Sequence, residues 1–208
     1  MCNRYATYGE TNALQGALTS LELDWADETS LRPADIYPDQ DAQIVRQIGD
    51  ELALVEARWG FPEIKKGAGV ITNIRNLASP WWQRVNRSYL IEPEFRCLVP
   101  FDRFAEPPRA PTWFSMSKTA FFAGVWRPFQ GERLMAVPGK KRRQRVPNDW
   151  HLFSFLTCEA NAEVRPVHPK AMPVILTDPT DLKDWLAGGS DSLYRLQRPL
   201  PDYSLQVN

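Results

Sequence analysis

Cys2 stands directly after Met1, and a cysteine there can do chemistry that no internal residue can. Methionine is commonly trimmed when the next residue is small, and cysteine qualifies. Trimming would leave Cys2 with an α-amine and a thiol on neighbouring carbons. The amine condenses with an aldehyde to a Schiff base, and the thiol then closes on the same carbon to give a five-membered thiazolidine. An unperturbed α-amine titrates at about 7.7–8.0 and a free thiol at about 8.5, so a usable fraction of each is deprotonated near neutral pH.

Other residues could serve that chemistry. His168 precedes the apolar run Met172-Pro173-Val174-Ile175-Leu176 and is followed by Pro169, a placement at a strand mouth that suits a cleft. Glu106 ends an apolar stretch that begins at Cys97, where bulky neighbours favour a raised pKa and acid–base work. Asn73 and Arg75 are two residues apart, so in extended chain both face one way. An amide beside a guanidinium suits an anionic ligand, because arginine can fork onto two phosphate oxygens. Lys140, Lys141, Arg142, Arg143 and Arg145 form a basic run that reads either as a solvated loop or as a phosphate-tracking arm. Trp81 and Trp82 could stack exposed bases or pack beneath a loop.

The elements that must position these groups are mostly strands. Residues 42–47 and 52–59 read as two strands around the turn Gly49-Asp50, and 96–99, 112–116, 120–126, 152–157 and 172–176 read as buried strands. Helical spacing marks 10–22, with Thr11 as its cap, and 80–89. A third helix, 179–187, takes Thr177 or Asp178 as its cap and stops at Gly188-Gly189. Residues 60–69 read as a loop, and the tail from Gln197 is polar. The class is α+β with a strand-dominated core, and 208 residues suit a single domain.

Composition narrows the function classes. No run of about 18 apolar residues marks a membrane span, and the N-terminus lacks a basic region followed by an apolar stretch. Cys2, Cys97 and Cys158 are far apart, which is neither a disulfide framework nor a zinc pattern, and a reducing cytoplasm is expected. With 25 basic and 25 acidic residues, any nucleic-acid footprint must be local. Among the 8 tryptophans, Trp81, Trp82, Trp113 and Trp150 sit in or near polar stretches, and 18 prolines suit a loop-rich fold of short strands.

Taken in order, the fragments resemble the SRAP family, named for SOS response-associated peptidase and described as abasic-site processing proteins. Met1-Cys2-Asn3-Arg4 resembles its Met-Cys-Gly-Arg start, Trp59-Gly60 its Trp-Gly pair, and Asn73-Ile74-Arg75 its Asn-Ala-Arg. Arg96-Cys97-Leu98-Val99-Pro100 resembles the Arg-Cys-Leu-x-Pro segment that leads to a catalytic Glu, here Glu106. Phe122 to Trp126, Phe155 to Asn161, and His168 with Met172 to Leu176 resemble its Phe-Ala-Gly-Leu-Trp, Leu-Thr-x-x-Ala-Asn and His-x-x-Met-Pro-Val-Ile-Leu segments. The chain departs from the family pattern at Asn3, Leu77 and Pro107, where glycine, an acidic residue and tryptophan are usual. One extra residue separates His168 from Met172, which puts Lys170 where an arginine is common, and Ile36-Tyr37-Pro38 only faintly echoes a Tyr-Asn-x-Ala-Pro segment.

The resemblance implies one domain over 1–208, with a barrel-like antiparallel β core flanked by a few short helices. It implies capture of abasic sites in single-stranded DNA, or at junctions with duplex, as a covalent thiazolidine on Cys2. Cys2, Asn73, Glu106 and His168 would be catalytic. Arg4, Arg75, Trp81, Trp82, Lys170, Lys140, Lys141, Arg142 and Arg143 would bind DNA. The peptidase name implies self-removal of Met1 through Cys2 and Glu106, although a general methionine aminopeptidase could do it equally well. Lyase-type strand cleavage is the side path of an open Schiff base. A monomer in a bacterial cytoplasm, acting in DNA damage repair without cofactor or metal, is expected. Two other classes stay open: a non-covalent single-strand binding module, and a cysteine peptidase using Cys2 and His168 on other proteins.

Overall fold

The computed structural model describes residues 2–26, 29–62, 69–106, 111–135 and 137–208. Its strands are β1 (Tyr5–Thr7), β2 (Asp24–Trp25), β3 (Ala34–Ile36), β4 (Asp41–Ile48), β5 (Glu51–Trp59), β6 (Asn73–Ile74), β7 (Arg96–Glu106), β8 (Thr112–Met135), β9 (Gln144–Cys158), β10 (Met172–Pro173), β11 (Ile175–Leu176) and β12 (Gln206–Val207). Around them lie α1 (Thr11–Leu18), α2 (Arg87–Ile91), α3 (Pro179–Ala187) and α4 (Ser190–Leu196). The chain is α+β and strand-rich, as its composition suggests.

Pairing runs β8–β9–β5–β4–β7 and returns from β7 to β8, so the sheet closes into a barrel. The expected antiparallel order is corrected in three places: the short strands β2 and β6 pair in parallel with β5 and β9, and in the barrel itself β5 pairs with β9 in parallel. β7 and β8 intervene between those two strands in the chain, which supplies the long crossover that parallel pairing requires. β8 is a single strand of 24 residues rather than the two pieces its polar Ser117-Lys118-Thr119 segment suggests. Its register against β7 slips between Phe101↔Ala120 and Arg103↔Ser115, so those polar residues bulge out while the strand continues.

β8 pairs with β7 as far as Val125 and with β9 from Gly124 onward. The barrel therefore closes at Gly124, where the backbones crowd: a Cβ there would lie 2.5 Å from Cys97 Sγ. Rings fill the interior. Phe101 stacks on Phe122 at 4.0 Å between centroids, and Tyr5 meets Trp59 and Phe122 edge-on at 5.1 and 5.6 Å. Each such ring removes ~150–250 Å² from water, which makes this cluster the main source of stability. On the outer face, Trp185 of α3 donates its indole N–H to the Cys97 carbonyl (2.9 Å) and Gly124 carbonyl (3.2 Å), seating the helix on the closure. The Arg96 guanidinium lies 4.3 Å from the Trp185 ring, and burial lowers its pKa to about 10.

Several local expectations change. The Thr11 hydroxyl accepts from Leu31 N (2.8 Å) instead of capping its own helix, which ends at Leu18 and continues as a 3-10 turn to Leu21. α3 begins as read, with Asp178 accepting from Thr180 N at 2.8 Å. Residues 172–176 split into β10 and β11 because Val174 pairs both ways, donating to Leu156 O and accepting from Ala123 N. The single helix expected over 80–89 is a π-turn, Trp81–Val85, followed by α2. Buried Asn86 marks the break, its amide held between the Trp81 carbonyl and Arg127. Of the loop read over 60–69, residues 63–68 lie outside the described residues. The polar tail ends in β12, paired with β8.

Candidate functional site

Three strand ends meet where the chain enters the barrel. The β1–β7 register pairs Tyr5 with Phe104, and the Ala105 amide donates to the Arg4 carbonyl at 3.0 Å. That register draws residues 2–4 alongside Ala105 and Glu106. Cys2 is fully buried, and its thiol donates to the Arg4 carbonyl at 3.4 Å. Asn73 opens β6, which the parallel pairing of Asn73 with Phe155 fixes against β9. The Asn73 amide nitrogen donates to the Cys2 carbonyl (3.0 Å) and to Thr72 Oγ1 (2.7 Å), tying the terminus to the barrel.

Glu106 ends β7 with only 1% of its surface exposed. Burial raises its carboxyl pKa, and the positive charge available to His168 opposes that rise. The thiol of Cys2 moves the same way: burial pushes it up, and the Glu106 charge pushes it further. Burial thus works against the partly ionised thiol expected near neutral pH, and any reaction of the sulfur requires its proton to be removed.

His168 sits on a turn whose backbone amide donates to the Val164 carbonyl. Its Nδ1 lies 2.7 Å from the Ala171 carbonyl, which can only accept, so Nδ1 carries the hydrogen. Nε2 is then the nitrogen able to take or give a proton. Nδ1 is 3.9 Å from Glu106 Oε1, too far for a hydrogen bond but close enough for the two charges to interact. Cys2, Asn73, Glu106 and His168, which lie far apart in the chain, thus share one site. Met1 and Pro107 lie outside the described residues.

The expected DNA-contacting residues are less uniform. Arg75 is exposed, and its guanidinium donates to the Cys158 carbonyl (3.3 Å) and to the Lys170 carbonyl, clamping the His168 turn to β9. Lys170 takes part through its backbone, with its side chain exposed. Arg4 pairs with Asp35 at 2.8 Å and lies against the rings of Trp113 (4.6 Å) and Tyr37 (5.2 Å). Its charge is therefore already shared. Trp82 is corrected outright as a stacking platform: it is 5% exposed and packs on Phe61, with Trp81 edge-on against it at 4.5 Å. Lys140, Lys141, Arg142 and Arg143 are all exposed on the β8–β9 hairpin, and Gln144 and Arg145 already belong to β9.

Sequence reasoning missed Thr72, which orients Asn73, and Asp35, which holds Arg4. Trp113 did carry a signal, as one of the tryptophans in a polar stretch. It lies across Ala105 in the β7–β8 register and also carries Arg103 at 4.6 Å from its ring.

Comparison with known proteins adds three findings. The family model described as SOS response associated peptidase (SRAP) matches residues 1–208. A crystal structure of a phage-related protein from Bordetella bronchiseptica superposes with a TM-score of 0.64 at 19% identity, covering 100% of this chain and 93% of that one. It shares the fold. No curated protein matches the chain.

Proposed function

The chain belongs to the SRAP family, and from that premise we propose that it captures abasic sites in single-stranded DNA as a thiazolidine on Cys2, once Met1 has been removed. The observation that carries this reading is the burial of Cys2 beside Glu106, with its carbonyl held by Asn73. A terminus fixed so firmly is unusual, because chain ends normally fray.

The steps balance. An abasic deoxyribose equilibrates with a ring-opened C1′ aldehyde, and His168 assists by protonating the ring oxygen through Nε2. The freed Cys2 amine adds to C1′ and loses a proton to Glu106. Glu106 returns that proton to the C1′ oxygen to complete the carbinolamine, and a second proton, taken up from solvent, lets that oxygen leave as water and gives an iminium. The thiol then adds to C1′, and its proton passes to Glu106 and on to solvent, so no net proton is consumed. One C–N bond and one C–S bond form, and one water leaves. A raised carboxyl pKa suits this shuttling, since the group must both take and give protons near neutral pH. Ring closure consumes the iminium that would otherwise acidify the C2′ protons and invite β-elimination, so the adduct shields the strand. Asn73 holds the nucleophile in line, a contribution of positioning rather than of proton transfer.

Arg75, Lys170 and the exposed hairpin cations Lys140, Lys141, Arg142 and Arg143 supply phosphate attraction. This part of binding is salt-dependent and blind to sequence. Removal of Met1 through Cys2 and Glu106 is the self-processing step that the family name suggests.

The test is a denaturing gel of the protein mixed with single-stranded DNA carrying one abasic site. A heat-stable shifted band that disappears in Cys2→Ala is expected. A band equally strong in Cys2→Ala would refute the role of Cys2, and a shift seen only under native conditions would favour a non-covalent binding module.

A further inference from the structure

Beside the capture site, the β8–β9 hairpin, the turn between β3 and β4, and the segment before β6 enclose a cleft of about 780 Å³. That is within the ~300–1,000 Å³ of pockets that hold one small molecule. We propose that this cleft receives the base and phosphate of the unpaired nucleotide next to the abasic site on the captured strand. The inference rests on the abasic-site reading above and adds a subsite to it.

Continuity is the first support. Asn3 and Thr72 line the cleft, and the Thr72 hydroxyl donates to Asn3 Oδ1 at 3.5 Å while accepting from Asn73. Since Asn73 also holds the Cys2 carbonyl, the cleft wall and the capture site share residues. A strand whose sugar is bonded to Cys2 has its neighbouring nucleotide within one step of this opening.

The walls and charges supply the second support. Tyr37 and Phe129 face the cleft, and Tyr37 is 39% exposed, so a ring is available against which a base of any identity can stack. The acid at the cleft, Asp39, is spent on arginines: Arg58 at 3.0 Å, Arg133 at 2.7 Å and Arg143 at 3.6 Å. Arg145 also lines the cleft and has no ion pair among the described residues, leaving Glu132 as the one opposing acid there. A rim of positive charge over aromatic walls fits a nucleotide unit. A base already paired in a duplex cannot turn into the cleft, so the flank it takes must be single-stranded.

The test uses oligonucleotides carrying a tetrahydrofuran abasic analogue, which lacks an aldehyde and cannot crosslink. Fluorescence anisotropy compares flanks on the 5′ side only, on the 3′ side only, and on both, each flank single-stranded or annealed to a complement. Wild type is expected to lose about tenfold in affinity when one particular flank is removed or annealed, the scale of one stacked base. Tyr37→Ala and Phe129→Ala, each confirmed as folded by circular dichroism, are expected to be insensitive to that flank. Variants that keep the wild-type flank dependence, or a wild type that shows none, would overturn the proposal. Aldehyde-bearing oligonucleotides of the same lengths, run in parallel on a denaturing gel, report capture separately. Absence of adduct at every length counts against the abasic-site reading, while the anisotropy still decides the cleft.

Discussion

Replacing Glu106 with glutamine removes the buried carboxyl of the proposed capture site while keeping its shape. Two opposite effects follow. A general acid–base group contributes about 10²–10⁴-fold to rate, so crosslinking at pH 7 should slow by at least a hundredfold. The deficit should shrink toward alkaline pH, because the Cys2 amine, at about 7.7–8.0 when unperturbed, then needs less help to deprotonate. Stability should move the other way. Burial raises the Glu106 pKa in the folded protein, so the folded state binds more protons than the unfolded state between the unfolded and folded pKa values. Stability therefore falls as pH rises through that window, and glutamine abolishes the loss. Each kcal/mol recovered raises Tm by about 2–4 °C in a chain of this size, and the gain should vanish below the ordinary carboxylate range. Rates come from quenched denaturing gels at pH 6–9, and Tm from calorimetry over pH 3–8. Equal slowing at every pH, or a lower Tm for Glu106→Gln at neutral pH, would refute the reasoning.

Arg75→Ala should loosen the His168 turn and slow crosslinking about tenfold at saturating DNA, and Arg75→Lys should not restore the rate, because one ammonium cannot hold both carbonyls as the guanidinium does. Single-turnover rates check this. Replacing Lys140, Lys141, Arg142 and Arg143 with glutamine should flatten the slope of log affinity against log salt, by about 0.7 for each phosphate no longer neutralised, while adduct still forms. An unchanged slope would return the run to a solvated loop. Trp82→Ala should cost about 3–5 kcal/mol of stability by leaving a cavity, with the DNA affinity of the remaining folded protein unchanged. Denaturant titration and anisotropy together separate that outcome from a stacking role. Gly124→Ala should destabilise by about 1–3 kcal/mol because its Cβ meets Cys97 Sγ, and Cys97→Ala in the same chain should recover part of the loss.

That Cys2, Asn73, Glu106 and His168 gather in one place was legible in the sequence mainly through the order of the family-like fragments around them. A second-position cysteine, a histidine before an apolar run and a glutamate closing another are local signals, each weak when taken alone. The DNA-facing surface was less legible, since what each cation does depends on distant partners. Arg4 meets Asp35 and Arg75 meets the Lys170 carbonyl, 31 and 95 positions away in the chain, and no local pattern foretells either. Trp82 looked available because its neighbours are polar, but Phe61 buries it. The same applies to the fold. Alternation marked most strands, yet the parallel β5–β9 seam and the unbroken β8 are products of barrel closure, which is a property of the whole sheet.

Intact-mass spectrometry of the protein before and after reaction with an abasic-site oligonucleotide tests the central claim most directly. The free protein should lack the mass of Met1. The adduct should equal that protein plus the oligonucleotide less one water, and should survive denaturation without borohydride reduction. A protein that retains Met1 yet still forms the adduct, or an adduct that survives only after reduction, would contradict thiazolidine capture by Cys2.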